Sequence, residues 1–384
     1  MSLTNIMGLL GGLALFLYGM QMMSQGLENA AGNKMQQILE KLTANRFLGV
    51  LVGALITAVI QSSSATTVMV VGFVNAGMMT LNQAVWIIMG ANIGTTITGQ
   101  LIALDAGAVA PIIAFIGVIL IIFSKKEKIG YVGSILAGLG ILFIGMGMMG
   151  GSMEPLAQSQ SFISLLTKFS NPILGILAGT IFTAIIQSSS ASVGILQALA
   201  GSGIVTLDSA AFILFGQNIG TCITAFLAAL GANRNAKRTT IIHITFNVIG
   251  TIIFTILCIT TPLIPVLQGM TESAPKQIAN LHTMFNVTTT LILLPFGTAL
   301  TKLAQHILPD PKTGEPVQGQ IGHLQTKNSD VLGMASITLE ETKRKLEDML
   351  LLAEQNVHSS YDVFLQCDRN VFQQIEKREE QVDE

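Results

Sequence analysis

The chain has 384 residues, 20 of them basic and 22 acidic, so that 11% are charged against about a quarter in soluble domains. Residues 1–302 hold 19 of these charges (12 basic, 7 acidic), residues 305–384 hold the other 23 (8 basic, 15 acidic), and the net charge is −2. A single soluble domain is excluded, because apolar runs such as 6–23 and 111–123 cannot all be hidden in one aqueous core. Nucleic-acid binding has no support, since no basic face with interleaved aromatics occurs.

The start, Met1-Ser2-Leu3-Thr4-Asn5, has no basic n-region, and the apolar stretch after it lacks a small-x-small cleavage site. It is therefore expected to stay as a span over 6–23 and not to be removed as a signal peptide. A polar amphipathic stretch (27–43) follows, then a weakly apolar segment (47–77) broken in its middle by Gln61-Ser62-Ser63-Ser64. Each limb of that segment has about 14 residues, too few to cross ~30 Å of hydrocarbon at 1.5 Å per residue, and so reads as half of a re-entrant helical hairpin. Next come a span over 81–104, interrupted by Asn92-Ile93-Gly94-Thr95, and another over 108–124.

The same order then returns. Asn45 to Leu104 laid on Asn171 to Leu230, a gapless offset of 126, gives 28 identities in 60 positions. Gln187-Ser188-Ser189-Ser190 repeats the first serine run, and Asn218-Ile219-Gly220-Thr221 repeats the second motif. The second copy reads as a span over 131–150, an amphipathic stretch over 154–169, a hairpin over 173–203, an interrupted span over 207–230 and a span over 239–259. A last span, 280–302, lies outside the repeat. The domains expected are a membrane domain over 1–304 (repeats at about 6–126 and 131–259), a linker over 305–334 and a charged helical segment over 335–384.

If hairpins add no crossing, each unit crosses three times, so the second is inverted relative to the first, and seven crossings place the termini on opposite sides. With the charged C-terminal segment in the cytosol, ten basic residues fall in inside loops (Lys34, Lys41, Arg46, Lys125, Lys126, Lys128, Arg234, Lys237, Arg238, Lys302) and two outside (Lys168, Lys276). The expected location is the cytoplasmic membrane, multi-pass, with the N-terminus outside and the C-terminus cytosolic.

The serine runs are the sharpest candidates for chemistry. Four consecutive polar side chains are costly in an apolar medium unless paired. A helix beginning just after the serines aims unpaired N–H groups and a positive dipole end at them, an anion site without a fixed cation. The bland alternative is that Ser and Gln are hydrogen-bond glue between helices. In the Asn-Ile-Gly-Thr motifs, Asn92, Thr95, Thr96, Asn218 and Thr221 supply neutral oxygens, and an unwound turn at Gly94 or Gly220 is expected to free carbonyls for a monovalent cation. The alternative there is glycine packing in an ordinary helix. No Lys, Arg or His lies in the hairpins, so a doubly charged anion would need co-bound cations as compensation.

Other residues carry less. His243 and His282, each followed four residues on by an Asn, are expected to be packed neutral imidazoles near helix starts. The methionines fill packing gaps, and Cys222, Cys258 and Cys367 share no ligand or disulfide spacing. Glu28 and Glu154, matched across the repeat, suit an interfacial face. No Ser-His pairing, His-Glu-x-x-His or aspartate pair lies in the spans, so an enzyme is not expected.

The paired Gln-Ser-Ser-Ser runs, each followed some thirty residues later by Gly-x-Asn-Ile-Gly-Thr, resemble the type II sodium-phosphate cotransporter family over about residues 7–302. The resemblance implies sodium-driven phosphate uptake by alternating access in an all-α membrane fold of two inverted repeats, each with a re-entrant hairpin and a discontinuous helix. It carries phosphate roles onto Gln61, Ser62, Ser63, Ser64, Gln187, Ser188, Ser189 and Ser190. Sodium roles go onto Asn92, Thr95, Asn218, Thr221, Gln61, Gln187 and Ser188. Gly117 and Ile121 stand where animal members carry a His-x-x-Phe-Asn in the first repeat. Residues 335–384 look like the opening helices of a PhoU-like domain. The partners implied are phosphate, sodium as co-substrate and the lipid bilayer, with a homodimer left open and no cofactor. A carrier of another oxyanion or carboxylate, and a phosphate-sensing receptor or channel, remain the alternatives.

Overall fold

The structure, a computed structural model, describes residues 3–31, 45–104, 106–157 and 168–310, with Glu354, Asn356 and Ser360 beyond them. Among the described residues the regular structure is helical: α1 (Leu3–Ala31), α2 (Arg46–Ile60), α3 (Ser63–Asn75), α4 (Leu81–Ile102), α5 (Ala110–Phe123), α6 (Glu127–Ala157), α7 (Pro172–Ile186), α8 (Ser189–Gly201), α9 (Leu207–Gly220), α10 (Cys222–Ala228), α11 (Arg234–Thr260), α12 (Leu263–Met270), α13 (Ala274–Leu293) and α14 (Gly297–Ile307). The chain divides into two compact units, Met1–Pro311 and Lys312–Glu384. In the second, the Ser360 hydroxyl donates to the Asn356 carbonyl at 2.7 Å.

Local chemistry sets the helix starts. Asn45 and Asn171 cap α2 and α7 through Oδ1, which accepts from the N–H groups of Phe47 and Ile173. Thr80 and Gln83 form a reciprocal capping box at the head of α4. The offset of 126 reappears as matched elements, with α2 and α7 both 15 residues long and α3 and α8 both 13. Glycines let the long helices close on one another. A methyl group at Gly53 would strike the carbonyl of Ile87, and one at Gly179 that of Ile213, which binds α2 to α4 and α7 to α9 at backbone contact. A second centre of packing is aromatic: Phe285 stacks on Phe215 with centroids 5.3 Å apart and lies 5.1 Å from Phe254, tying α13 to α9 and α11.

Among the described residues six helices are long and apolar enough to cross a membrane, against seven crossings expected. The difference is α5, whose 14 residues rise only about 21 Å, although its surface of Ile112, Phe115, Ile122 and Phe123 is exposed and apolar throughout. The other expected spans lie within α1, α4, α6, α9–α10, α11 and α13–α14. The amphipathic stretches expected over 27–43 and 154–169 fall largely outside the described residues, as do the linker and the charged segment over 335–384 apart from its three described positions. Glu28 is exposed, while Met23, Met89 and Met149 are buried among the helices.

One ion pair occurs among the described residues. Arg238, at the head of α11, donates to Asp310 at 2.8 Å and also to the Leu308 carbonyl and to Asn235, and its side chain is 4% exposed against 76% for Asp310. Asp310→Asn is expected to cost at most about 1 kcal/mol, because its side chain stays in solvent. Arg238→Ala strands the Leu308 carbonyl and Asn235 and is expected to cost about 3 kcal/mol. Thermal unfolding of the two variants side by side checks the contrast, and equal losses would contradict it.

Candidate functional site

Both Gln-Ser-Ser-Ser runs fall where paired helices break, α2 from α3 and α7 from α8. The break is a single left-handed residue in each copy, Gln61 at φ 58° and Gln187 at φ 59°. Neither is glycine, so each turn carries steric cost that its surroundings offset. The next residue then caps the following helix: the hydroxyls of Ser62 and Ser188 accept from the N–H groups of Ala65 at 3.1 Å and Ala191 at 3.3 Å. The N–H groups of the first helical residues, Ser63, Ser64, Ser189 and Ser190, have no partner within their own helices.

The two helix starts meet. Ser63 Oγ lies 3.4 Å from Ser189 Oγ, its equivalent 126 residues on. Ser190 Oγ lies 3.5 Å from the Gln61 carbonyl and 3.5 Å from Thr98 Oγ1. Thr98 donates to Gln61 Oε1 at 2.7 Å, and Gln61 Nε2 donates to the Ala58 carbonyl. Within the first hairpin the limbs are also stitched, Thr57 donating to Thr66 at 3.0 Å, whereas the hydroxyl of Thr183, its equivalent in the second, is buried without a partner among the described residues. Gln61, Ser63, Ser189 and Ser190 are buried, Ser62, Ser64 and Ser188 half-buried, and Gln187 exposed. The copies also differ at the glutamine, because Thr224, the equivalent of Thr98, donates to the Thr221 carbonyl instead of to Gln187.

The second motif differs from expectation. Helix α4 runs unbroken through Asn92-Ile93-Gly94-Thr95, so no turn at Gly94 frees a carbonyl. In the second copy the only interruption is Thr221, between α9 and α10, and its backbone stays helical at φ −58°, ψ −28°. The motif glycines serve packing: a methyl at Gly94 would meet the Ala54 carbonyl, and one at Gly220 the Thr180 carbonyl. What the motif offers is side-chain oxygen. Asn92 and Asn218 spend an amide hydrogen on the carbonyls of Ile88 and Leu214, and Thr95 and Thr221 spend theirs on Ala91 and Gln217. Their remaining oxygen lone pairs are acceptors, the chemistry a cation needs.

Around this lie polar residues that local sequence patterns did not single out. Gln197 donates to the carbonyls of Gly99 at 2.9 Å and Pro275 at 3.0 Å, and Gln217 to that of Ser192 at 3.0 Å. Thr98 could have been found, since it is matched by Thr224 at the repeat offset. Gln197 could not, because Val71 stands at its equivalent position. His282 lies two turns into α13, not at its start, and its Nε2 is 3.2 Å from Asn218 Oδ1; His243 is likewise buried inside α11. Residues 47–104 and 173–207 contain no charged side chain, so the field at the serine tips comes from helix ends and neutral dipoles.

A duplicated helical frame, six helices able to cross a bilayer and a buried polar centre without fixed charge together define a multi-pass membrane carrier. The model of the Na+/Pi-cotransporter family matches residues 15–151 and 145–258, and the chain belongs to that family of transporters, which are not enzymes. A Bacillus subtilis protein named "Uncharacterized protein YqeW" is 32% identical over 77% of this chain and 95% of its own length. The Salmonella typhimurium protein named "Putative inorganic phosphate export protein YjbB" is 26% identical over 87% of this chain, which spans 60% of that relative's length. The human sodium-dependent phosphate transport protein 2B is 38% identical over 98 residues, 25% of this chain and 14% of its own. No solved structure matches the chain.

Proposed function

We propose that the chain carries inorganic phosphate into the cell together with sodium, by alternating access between two inverted repeats whose serine-tipped hairpins are re-entrant. The observation that carries this reading is the contact of Ser63 with Ser189 at 3.4 Å, which turns two helix N-termini toward one buried point free of any fixed cation. Phosphate takes its hydrogen bonds from Gln61, Ser62, Ser63, Ser64, Gln187, Ser188, Ser189 and Ser190 and from the N–H groups beneath them. Burying its charge requires a counter-charge, which sodium supplies through the oxygens of Asn92, Thr95, Asn218, Thr221, Gln61, Gln187 and Ser188. With the apolar α5 counted as a seventh crossing, the termini lie on opposite sides, the C-terminus in the cytosol.

Proteoliposomes test it. Labelled phosphate is expected to accumulate under an inward sodium gradient and not when choline replaces sodium. Flux indifferent to sodium would remove the cotransport reading. Export is the second reading, favoured by the name of the relatives that are 26% identical over 87% of this chain. It predicts loss of phosphate from loaded vesicles against the sodium gradient.

A further inference from the structure

Away from the serine tips, a cleft of 460 Å³ is lined by Asn45, Arg46, Trp86, Pro295 and Thr298. It lies where the N-terminus of α2 meets the first turns of α4 and the head of α14. Its chemistry is one-sided. Arg46 is exposed, rests over the Phe47 ring at 5.4 Å, and has no carboxylate partner among the described residues. The Trp86 side chain is 9% exposed, and its indole N–H, which can only donate, meets no acceptor among the described residues. The amide of Asn45 keeps its hydrogens, since Oδ1 alone is used in capping, and Thr298 adds a hydroxyl. Among the described residues no acidic side chain lines the cleft.

The repeat supplies an internal control. At the offset of 126, Pro172 stands for Arg46 and Phe212 for Trp86, while the capping residue is Asn171 in place of Asn45. The close packing also recurs, for Gly49 lies against the Trp86 side chain as Gly175 lies against that of Phe212. The frame thus folds without a guanidinium or an indole N–H at these two places. Packing accounts for the Trp86 ring, which lies against Gly297 in an apolar cluster with Leu294 and Leu300, but not for its indole N–H or for the Arg46 guanidinium.

We propose that this cleft binds a phosphate group, either the free anion or the headgroup of an acidic lipid, held by Arg46 and the indole N–H of Trp86. A guanidinium meets phosphate through paired, charge-assisted hydrogen bonds, and the helix N-terminus beneath it adds favourable potential. The neutral serine tips use sodium to compensate charge, whereas this cleft has its own cation. Its free-anion form rests on the phosphate reading above; its lipid form does not.

Trp86 is the sole tryptophan of the chain, so intrinsic fluorescence reports on the cleft directly. The purified full chain in detergent is titrated with sodium phosphate, against sodium chloride at equal ionic strength, and separately with dihexanoyl phosphatidylglycerol against dihexanoyl phosphatidylcholine. A saturable change is expected with phosphate, with phosphatidylglycerol, or with both, and which arm responds identifies the source of the group. Arg46→Gln is expected to weaken the midpoint about tenfold, with Arg46→Lys falling between it and the parent. The Ser63→Ala, Ser189→Ala double variant is expected to keep the response.

The proposal is overturned if neither titrant gives a saturable change, if the controls do as well, if Arg46→Gln titrates like the parent, or if the double serine variant loses the signal. A fluorescence response in a protein that moves no phosphate would sink the transport reading and leave the cleft standing.

Discussion

Sodium-driven phosphate uptake by the Ser63→Ala, Ser189→Ala double variant is expected to fall by about two orders of magnitude, and by about tenfold for either single change. Hydrogen bonds to a charged acceptor contribute roughly 1.5–3 kcal/mol each, and no fixed cation lies near to take over the work. The two hydroxyls are 3.4 Å apart, so their losses are expected to couple and not simply to add. Both are buried, and alanine fits the helix start without new bulk. Because the anion and the sodium compensate one another, the half-saturating sodium concentration should rise alongside that for phosphate. Initial rates at subsaturating phosphate, measured across a sodium series, decide the matter. Full activity in the double variant would return the serines to helix packing.

Gly53→Ala and Gly179→Ala are each expected to destabilise the fold by about 2–3 kcal/mol, the cost of overpacking against backbone that has no free end to swing away. At each, the added methyl would lie against a carbonyl of the neighbouring long helix, Ile87 or Ile213. Gly72→Ala in α3 is the contrasting case, since nothing lies within 4 Å of a methyl there. Helix propensity then gives a gain of up to about 1 kcal/mol. Midpoints of thermal unfolding in one detergent compare the three. Similar values would mean that the α2–α4 and α7–α9 contacts yield more easily than their backbone spacing implies.

Much of the frame was legible because duplication writes the same element twice. The hairpin limbs expected over 47–77 and 173–203 appear as α2–α3 and α7–α8 with matching ends, and the Gln-Ser boundary is the point where each pair breaks. The Asn-Ile-Gly-Thr motif misled for a physical reason. Glycine within an apolar span signals either an unwound turn or a close approach, and sequence alone does not separate them. Here Gly94 lies against the Ala54 carbonyl, and Asn92 and Thr95 bond back to their own helix, so the chain stays helical. The span expected over 108–124 appears as α5, wholly apolar but only 14 residues long, and so shorter than the six helices of full crossing length. The bonds from Thr98 to Gln61 and from Gln197 to Gly99 join residues 37 and 98 apart, and no local pattern encodes which partner a buried glutamine takes.

The contact between Ser63 and Ser189 is isologous, the kind of self-contact usually met where two identical subunits face each other, here folded into one chain. On the proposed reading of two inverted repeats, a residue that touches its own counterpart lies on the local axis relating them. A site on such an axis presents the same atoms to both approaches and so has no means of telling one side of the bilayer from the other. Vectorial character, on the proposed reading, must then be written off the axis, in places where the copies have diverged. Gln61, bonded to Thr98, against the exposed Gln187 is one such place. Arg46 and Trp86 against Pro172 and Phe212 is another.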